Sequence, residues 1–150
     1  MSVVTDINHT LNDLIQICLD GENGFKEAAE HVTDSSLKLE LMDYSMQRKD
    51  FAADLKALVA STGEEPAHHG DLSASLHRAW IDVKSLFTSN DRHAVLAECE
   101  RGEDAAVEAF RTAATSGLPN DYAQLIQSQF NAVKRTHDRI KALRDAAEKK

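Results

Sequence analysis

The sequence is poor in the residues that make turns and sheets. Its 150 residues include two prolines and six glycines, and aromatic residues make up 5% of the chain. Sandwiches and barrels need frequent turns and aromatic-rich strands, so this composition argues against them. Hydrophobic residues make up 42% of the chain, which is enough for the core of one domain. We therefore expect a single all-α domain spanning residues 1–150.

The sequence also lacks a long apolar run and a signal-peptide pattern. No stretch approaches the ~20 apolar residues that a membrane-spanning helix needs. The N-terminus, MSVVTDINHT, has neither a basic start nor an apolar core. The two cysteines, Cys18 and Cys99, lie in apolar helical surroundings, which is typical of reduced thiols. We expect a cytoplasmic protein with no membrane partner.

An excess of positive charge is absent as well. The formal net charge is -8, whereas nucleic-acid binding needs Lys and Arg clustered on one face. The basic residues near the C-terminal end alternate with acidic ones, as on a solvated helix face. We therefore expect no nucleic-acid partner. A second copy of the chain or another protein remains open as a partner.

Apolar residues recur at a spacing of three and four in four long segments, which predicts four helices. The predicted helices run from about Asp6 to Val32, from the cap signal Thr33–Ser36 to Gly63, from Ser89–Asp91 to Gly117, and from Leu118–Asp121 onward. A shorter amphipathic helix is predicted at Leu72–Phe87, after the loop GEEPAHHG. The order is hairpin, crossover, hairpin, as in a four-helix bundle.

An internal repeat supports this organisation. The segment CLDGENGFKEA aligns without gaps with CERGEDAAVEA, which pairs Cys18 with Cys99, Gly21 with Gly102 and Glu22 with Glu103. The second helices of the two hairpins also end alike, with Lys56-Ala57-Leu58 against Lys141-Ala142-Leu143. A duplicated helical hairpin is a common route to a bundle.

Four ionisable residues interrupt the apolar seams and are predicted to form a polar layer in the core. The seams place Glu22 on the inner side of the first helix and Glu103 on that of the third. Arg48 falls in the seam of the second helix, and His137 in that of the fourth. Buried carboxylates need a cation or a shared proton, so we expect Arg48 to reach one or both glutamates. Gly21 and Gly102, each next to an inward Glu, indicate close helix approach.

The motifs LDGENGF and ECERGEDAA and the ending THDRIKALRD resemble small bacterial ferritin-like four-helix-bundle proteins that form a domain-of-unknown-function family. In the wider superfamily, di-iron ligands are one Glu from each of two helices and a Glu-x-x-His from each of the others. The resemblance implies that Glu22, Glu103 and His137 match three of these ligands. Lys134 departs from the pattern at one Glu position, and Arg48 and Phe51 depart from it in the second helix.

Three interpretations of the polar layer follow. It is a metal-free layer of Glu22, Arg48, Glu103 and His137, or it holds one iron or other divalent metal on Glu22, Glu103 and His137, or it keeps a di-iron site with unusual ligands. The first makes the protein a non-catalytic bundle with a stress- or structure-related role and no cofactor. The others make it a metal-binding protein or an oxidoreductase.

The remaining candidates are weaker. His68 and His69 lie in a loop and are expected to be solvated, and His77 and Trp80 are expected to serve packing. Glu98, Glu100 and Asp104 are expected to face outward on their helix. If the first and third helices run antiparallel, the two cysteines lie roughly 12 Å apart along the axis and stay free thiols.

Overall fold

Four long helices make up the part of the chain that the computed structural model describes, residues 3–63 and 91–148. They are α1 (Val3–Glu30), α2 (Ser35–Ser61), α3 (Arg92–Ala114) and α4 (Asn120–Glu148). No strand occurs in these two ranges, so the prediction of an all-α structure with four long helices is confirmed. The short helix predicted at Leu72–Phe87 lies outside the described residues, as do His68, His69, His77 and Trp80.

The helix ends follow the capping signals in the sequence. Asp34 caps α2, where its Oδ1 accepts a hydrogen bond from the Ser36 N–H at 2.9 Å. Asp91 caps α3 in the same way and accepts from the His93 N–H at 3.0 Å. After α2 and α3, Gly63 (φ 85°) and Gly117 (φ 77°) adopt the left-handed conformation that stops a helix. α1 begins and ends earlier than predicted, at Val3 and Glu30.

The first two helices form an antiparallel hairpin. Near one end, the Asn8 side-chain amide donates a hydrogen bond to the Thr62 hydroxyl at 3.0 Å. Further along, the Ser45 hydroxyl donates to the backbone carbonyl of Glu22 at 2.7 Å. Residue numbers therefore rise along α1 as they fall along α2, which confirms the predicted hairpin.

The last two helices form a second antiparallel hairpin. His137 of α4 contacts Asp104 of α3, and Arg144 of α4 contacts Glu100 one turn earlier on α3. α1 packs on α3, and α2 packs on α4, so the four helices enclose one core.

The two hairpins are joined so that α2 and α3 run parallel. Arg48 pairs with Glu103 near the middle of both helices, and Asp34 pairs with Arg92 where both helices begin. The end of α2 at Thr62 lies beside Asn8, away from Asp34. The chain therefore leaves α2 at one end of the bundle and enters α3 at the other.

The buried positions of the two hairpins repeat in the same register. Residues that the repeat aligns are buried in both copies, among them Leu14 and Val95, Ile15 and Leu96, Cys18 and Cys99, Leu41 and Ile126, and Leu55 and Ile140. This shared pattern supports the duplication inferred from sequence. Charged residues interrupt every described helix, and none of these helices has the apolar length that a bilayer-spanning segment requires.

Candidate functional site

The centre of the core contains an ion pair between Arg48 and Glu103. Nη1 of Arg48 donates to Oε1 of Glu103 and Nη2 donates to Oε2, each at 2.6 Å. The two side chains are 1% and 0% exposed. Two parallel charge-assisted hydrogen bonds of this kind are the strongest geometry available to an Arg–carboxylate pair. The prediction that Arg48 reaches an inward glutamate is confirmed for Glu103.

The rest of the Arg48 side chain is held by three neighbours. Its Nε donates to the side-chain oxygen of Gln47 at 3.3 Å, and its guanidinium lies 5.4 Å from the centre of the Phe25 ring. The stem of Arg48 passes over Gly21, where an added Cβ would stand 3.3 Å from Arg48 Cγ. Gly21 therefore makes room for an arginine side chain, in addition to any close approach of backbones.

The ion pair sets the charge state of the core. Burial by itself would lower the pKa of Arg48, but the charge of Glu103 and its hydrogen bonds outweigh burial and raise that pKa. Arg48 is therefore a fixed cation. The nearby thiols stay protonated, because burial raises the pKa of Cys18 to about 12 and also raises that of Cys99. Both cysteines are buried and free, as predicted.

Glu22 does not share the enclosed position of its repeat partner. It is half-buried, whereas Glu103 is fully buried. The repeat explains the difference. It aligns Lys56 of α2 with Lys141 of α4, so Arg48, eight residues before Lys56, aligns with Val133, eight residues before Lys141. Val133 is buried and apolar. Without a second arginine to neutralise it, Glu22 cannot be enclosed at the same cost as Glu103.

His137 lies at the flank of α4 and faces Asp104, not Glu103. Its Nε2 is 2.6 Å from Oδ1 of Asp104, and its Nδ1 is 3.1 Å from Oδ1 of Asp138. Glu22, Glu103 and His137 therefore do not come together as a ligand set in the described structure. The reason is a shift of the buried seam of α4, in which Thr136 takes the enclosed place predicted for His137.

Two acidic residues predicted to face outward are buried. Glu98 and Glu100 are each 8% exposed, whereas Asp104 is exposed as predicted. Glu98 accepts hydrogen bonds from Nε of Arg101, at 3.0 and 3.1 Å. Oε1 of Glu100 is in ion-pair contact with Nη1 of Arg144. An arginine covers each acid and keeps its own guanidinium group in contact with solvent. This cover accounts for the enclosure of the two acids.

The repeat contained a signal for this burial. It aligns Glu98 with Ile17 and Glu100 with Leu19, the apolar residues on either side of Cys18. Both Ile17 and Leu19 are buried in α1. The repeat therefore predicts that Glu98 and Glu100 are enclosed and paired with a cation. The apolar spacing alone does not predict this.

A group of residues that could hold a metal ion lies on the α3–α4 flank. Glu100, Asp104 and His137 each offer one ligand atom, and these atoms lie within 4.8 Å of one another. Glu100 and Asp104 are four residues apart on α3 and so share one helix face, opposite His137 on the antiparallel α4. The sequence predicts His137 as a metal ligand, but with Glu22 and Glu103 as the carboxylates beside it.

One family model matches the chain. It is described as a domain of unknown function (DUF2383), and it covers residues 6–116, which take in α2, α3 and nearly all of α1. No curated protein matches the chain. The matched segment contains Gly21, Arg48 and Glu103, so the buried ion pair lies within the family's domain. Because the match covers well over half of its length, the chain belongs to the DUF2383 family.

Proposed function

We propose that this protein is a non-catalytic, ferritin-like bundle with a structural or stress-related role. In this proposal, an ion pair takes the place of the dinuclear metal centre that the resemblance implies. The observation that carries the proposal is the buried, bidentate contact between Arg48 and Glu103. It supplies the positive charge that the core carboxylate needs.

The residues of the core do not fit a dinuclear iron centre. Both carboxylate oxygens of Glu103 already accept hydrogen bonds from Arg48. The half-buried Phe51 and the exposed Lys134 occupy ligand positions of the superfamily pattern, and neither supplies a neutral or anionic donor atom there. A fixed guanidinium charge in the same place repels a pair of cations. The core therefore favours a metal-free layer.

The ion pair supports a structural role because it joins the two hairpins. Arg48 belongs to the first hairpin, and Glu103 belongs to the second. Removal of one partner would leave an uncompensated charge in the core, a change that typically costs about 3–5 kcal/mol. A shift of one hairpin along the other would have the same effect, so the pair holds their register.

The path of the chain supports the ferritin-like part of the proposal. α2 and α3 run parallel, so α2 ends at one end of the bundle and α3 begins at the other. Bundles with one long crossover between two antiparallel hairpins, including ferritin-like folds, share this connectivity.

The alternative is a metal-binding protein or oxidoreductase that uses Glu22, Glu103 and His137. It has less support, because His137 contacts Asp104 and the carboxylate of Glu103 is engaged by Arg48. Aerobic oxidation of added ferrous iron separates the two functions. We expect the wild-type chain and Glu22→Gln to oxidise iron no faster than buffer does. Faster oxidation by the wild type that Glu22→Gln slows would support the alternative and contradict our proposal.

A further inference from the structure

The flank between α3 and α4 carries a cluster separate from the core ion pair. Its members are Glu100, Asp104 and His137, with ligand atoms within 4.8 Å of one another. Metal–ligand bonds of about 2.0–2.2 Å place neighbouring ligand atoms roughly 3–4 Å apart, so little movement would admit one ion. Two carboxylates and one imidazole suit a divalent transition metal, with water completing the coordination.

The imidazole of His137 is already oriented by a second carboxylate. Its Nδ1 lies 3.1 Å from Oδ1 of Asp138, and the same oxygen accepts a hydrogen bond from Lys134 Nζ at 2.9 Å. This leaves Nε2 directed toward Asp104, at 2.6 Å. Metal-ligating histidines usually donate the N–H of the other ring nitrogen to a carboxylate, a backbone carbonyl or water, which fixes the ring and its tautomer.

One carboxylate of the cluster is enclosed, and the partner of its Oε1 is an arginine. Glu100 is 8% exposed, and within the described ranges its Oε1 accepts no hydrogen bond of good geometry. The charged group beside that oxygen is Arg144 Nη1, in ion-pair contact only. Arg144 also donates through Nη2 to Oδ1 of Asp145 at 2.9 Å, so it has a second acceptor that can retain it.

We propose that Glu100, Asp104 and His137 bind one divalent transition-metal ion, and that Arg144 occupies the place of this ion when the site is empty. The two carboxylates match the charge of a divalent cation. Arg144 moves toward Asp145 when the metal binds to Glu100. This site contains no residue of the core ion pair, so a test of it is independent of the proposed metal-free layer.

Isothermal titration of the full chain with Zn²⁺ tests the site. We expect Asp104→Asn to weaken binding by at least about tenfold, the effect typical of losing a group that serves a metal site. Asp104 is exposed, so this variant should fold normally, as circular dichroism would show. Glu108→Gln is the matched control, because Glu108 lies one turn further along α3, is exposed and bears the same charge. It should bind Zn²⁺ like the wild type.

Arg144→Gln tests the role assigned to the arginine. Removal of a partly exposed ion pair should tighten Zn²⁺ binding by up to about fivefold. Unchanged Zn²⁺ affinity in Asp104→Asn, or a wild-type chain that binds no Zn²⁺, would overturn the site. Weaker binding in Arg144→Gln would make Arg144 a supporting residue and overturn its assigned role.

Discussion

Gly21 of α1 lies against the stem of Arg48 of α2, and the missing side chain at position 21 provides the space that the arginine occupies. A Cβ at Gly21 would stand 3.3 Å from Arg48 Cγ and 3.4 Å from Nη1. Arg48 cannot easily yield, because Glu103 holds both ends of its guanidinium and the Phe25 ring lies beside it. Gly21, the glycine of the repeated Gly-Glu pair in α1, therefore makes room for Arg48. Arg48 in turn neutralises Glu103 of α3.

Gly21→Ala is expected to destabilise the protein, although alanine is the better helix former. Alanine in a helix gains about 1 kcal/mol over glycine, whereas overpacking a fixed neighbour costs about 1–3 kcal/mol. We expect the free energy of unfolding, measured in urea, to fall by about 1 kcal/mol. In an Arg48→Ala background the Cγ and Nη1 atoms that crowd position 21 are absent, so the same substitution should cost less or stabilise. Equal costs in both backgrounds would show that Arg48 is not what the glycine accommodates.

Single substitutions in the ion pair should cost far more than the double substitution. Arg48→Met or Glu103→Leu leaves one buried charge without its partner, which should lower the free energy of unfolding by about 3–5 kcal/mol. Arg48→Met with Glu103→Leu leaves no charge, so most of that loss should be recovered. A thermal or urea double-mutant cycle measures the difference. Additive costs would mean that the two residues do not interact in the folded protein.

Much of the fold could be predicted from sequence because local signals and apolar spacing agree. Asp34 and Asp91 cap α2 and α3 as their positions before apolar runs indicate. The seams place Arg48 and Glu103 inward, and a buried carboxylate next to an inward arginine leaves few other arrangements. The pair itself was therefore predictable from spacing and charge.

The α3–α4 flank could not be predicted from spacing alone. A rotation of α4 by part of a turn exchanges Thr136 for His137 in the enclosed position, and the sequence pattern does not resolve so small a rotation. Glu103 and Asp104 are adjacent in sequence, so the same rotation decides which of them His137 meets. Burial of Glu100 depends on Arg144, a contact between residues far apart in sequence.

Glu40 should make a small contribution to stability that disappears in acid. The hydrogen bonds that Arg139 donates to Glu40, at 2.9 and 3.2 Å, hold the pKa of Glu40 below its usual range, with help from Tyr44. A depressed folded pKa adds stability above the unfolded pKa, about 4.3, and this stability is lost as pH falls through the folded pKa. The melting temperatures of wild type and Glu40→Gln should therefore converge as pH falls from about 6 to about 3.

The control for this pH dependence is Glu30→Gln, an exposed substitution with the same charge change at the end of α1. The difference in melting temperature between Glu30→Gln and the wild type should not change with pH in the way that the difference for Glu40→Gln does. A difference in melting temperature between the wild type and Glu40→Gln that widens in acid would contradict the predicted loss of stabilisation.

Both cysteines should be unreactive in the folded chain. Burial raises the pKa of Cys18 to about 12 and raises that of Cys99, so the reactive thiolate is scarce at neutral pH. We expect a thiol reagent such as Ellman's reagent to modify neither residue until denaturant is added, when both should react. Fast modification of the native protein would contradict the burial of these residues. A mass showing a Cys18–Cys99 bond would contradict the antiparallel packing of α1 on α3.

Anomalous diffraction from crystals grown with ferrous iron tests whether the ion pair replaces a metal centre in the core, because it locates iron and shows the side chains around it. We expect no iron peak beside Glu22 or Glu103, and Arg48 should remain bound to both oxygens of Glu103. A peak at Glu100, Asp104 and His137 would show metal at the flank site only and would not bear on the core. An iron peak at Glu22 and Glu103, with Arg48 displaced from the carboxylate, would mean that the core holds a metal centre and not a metal-free ion pair.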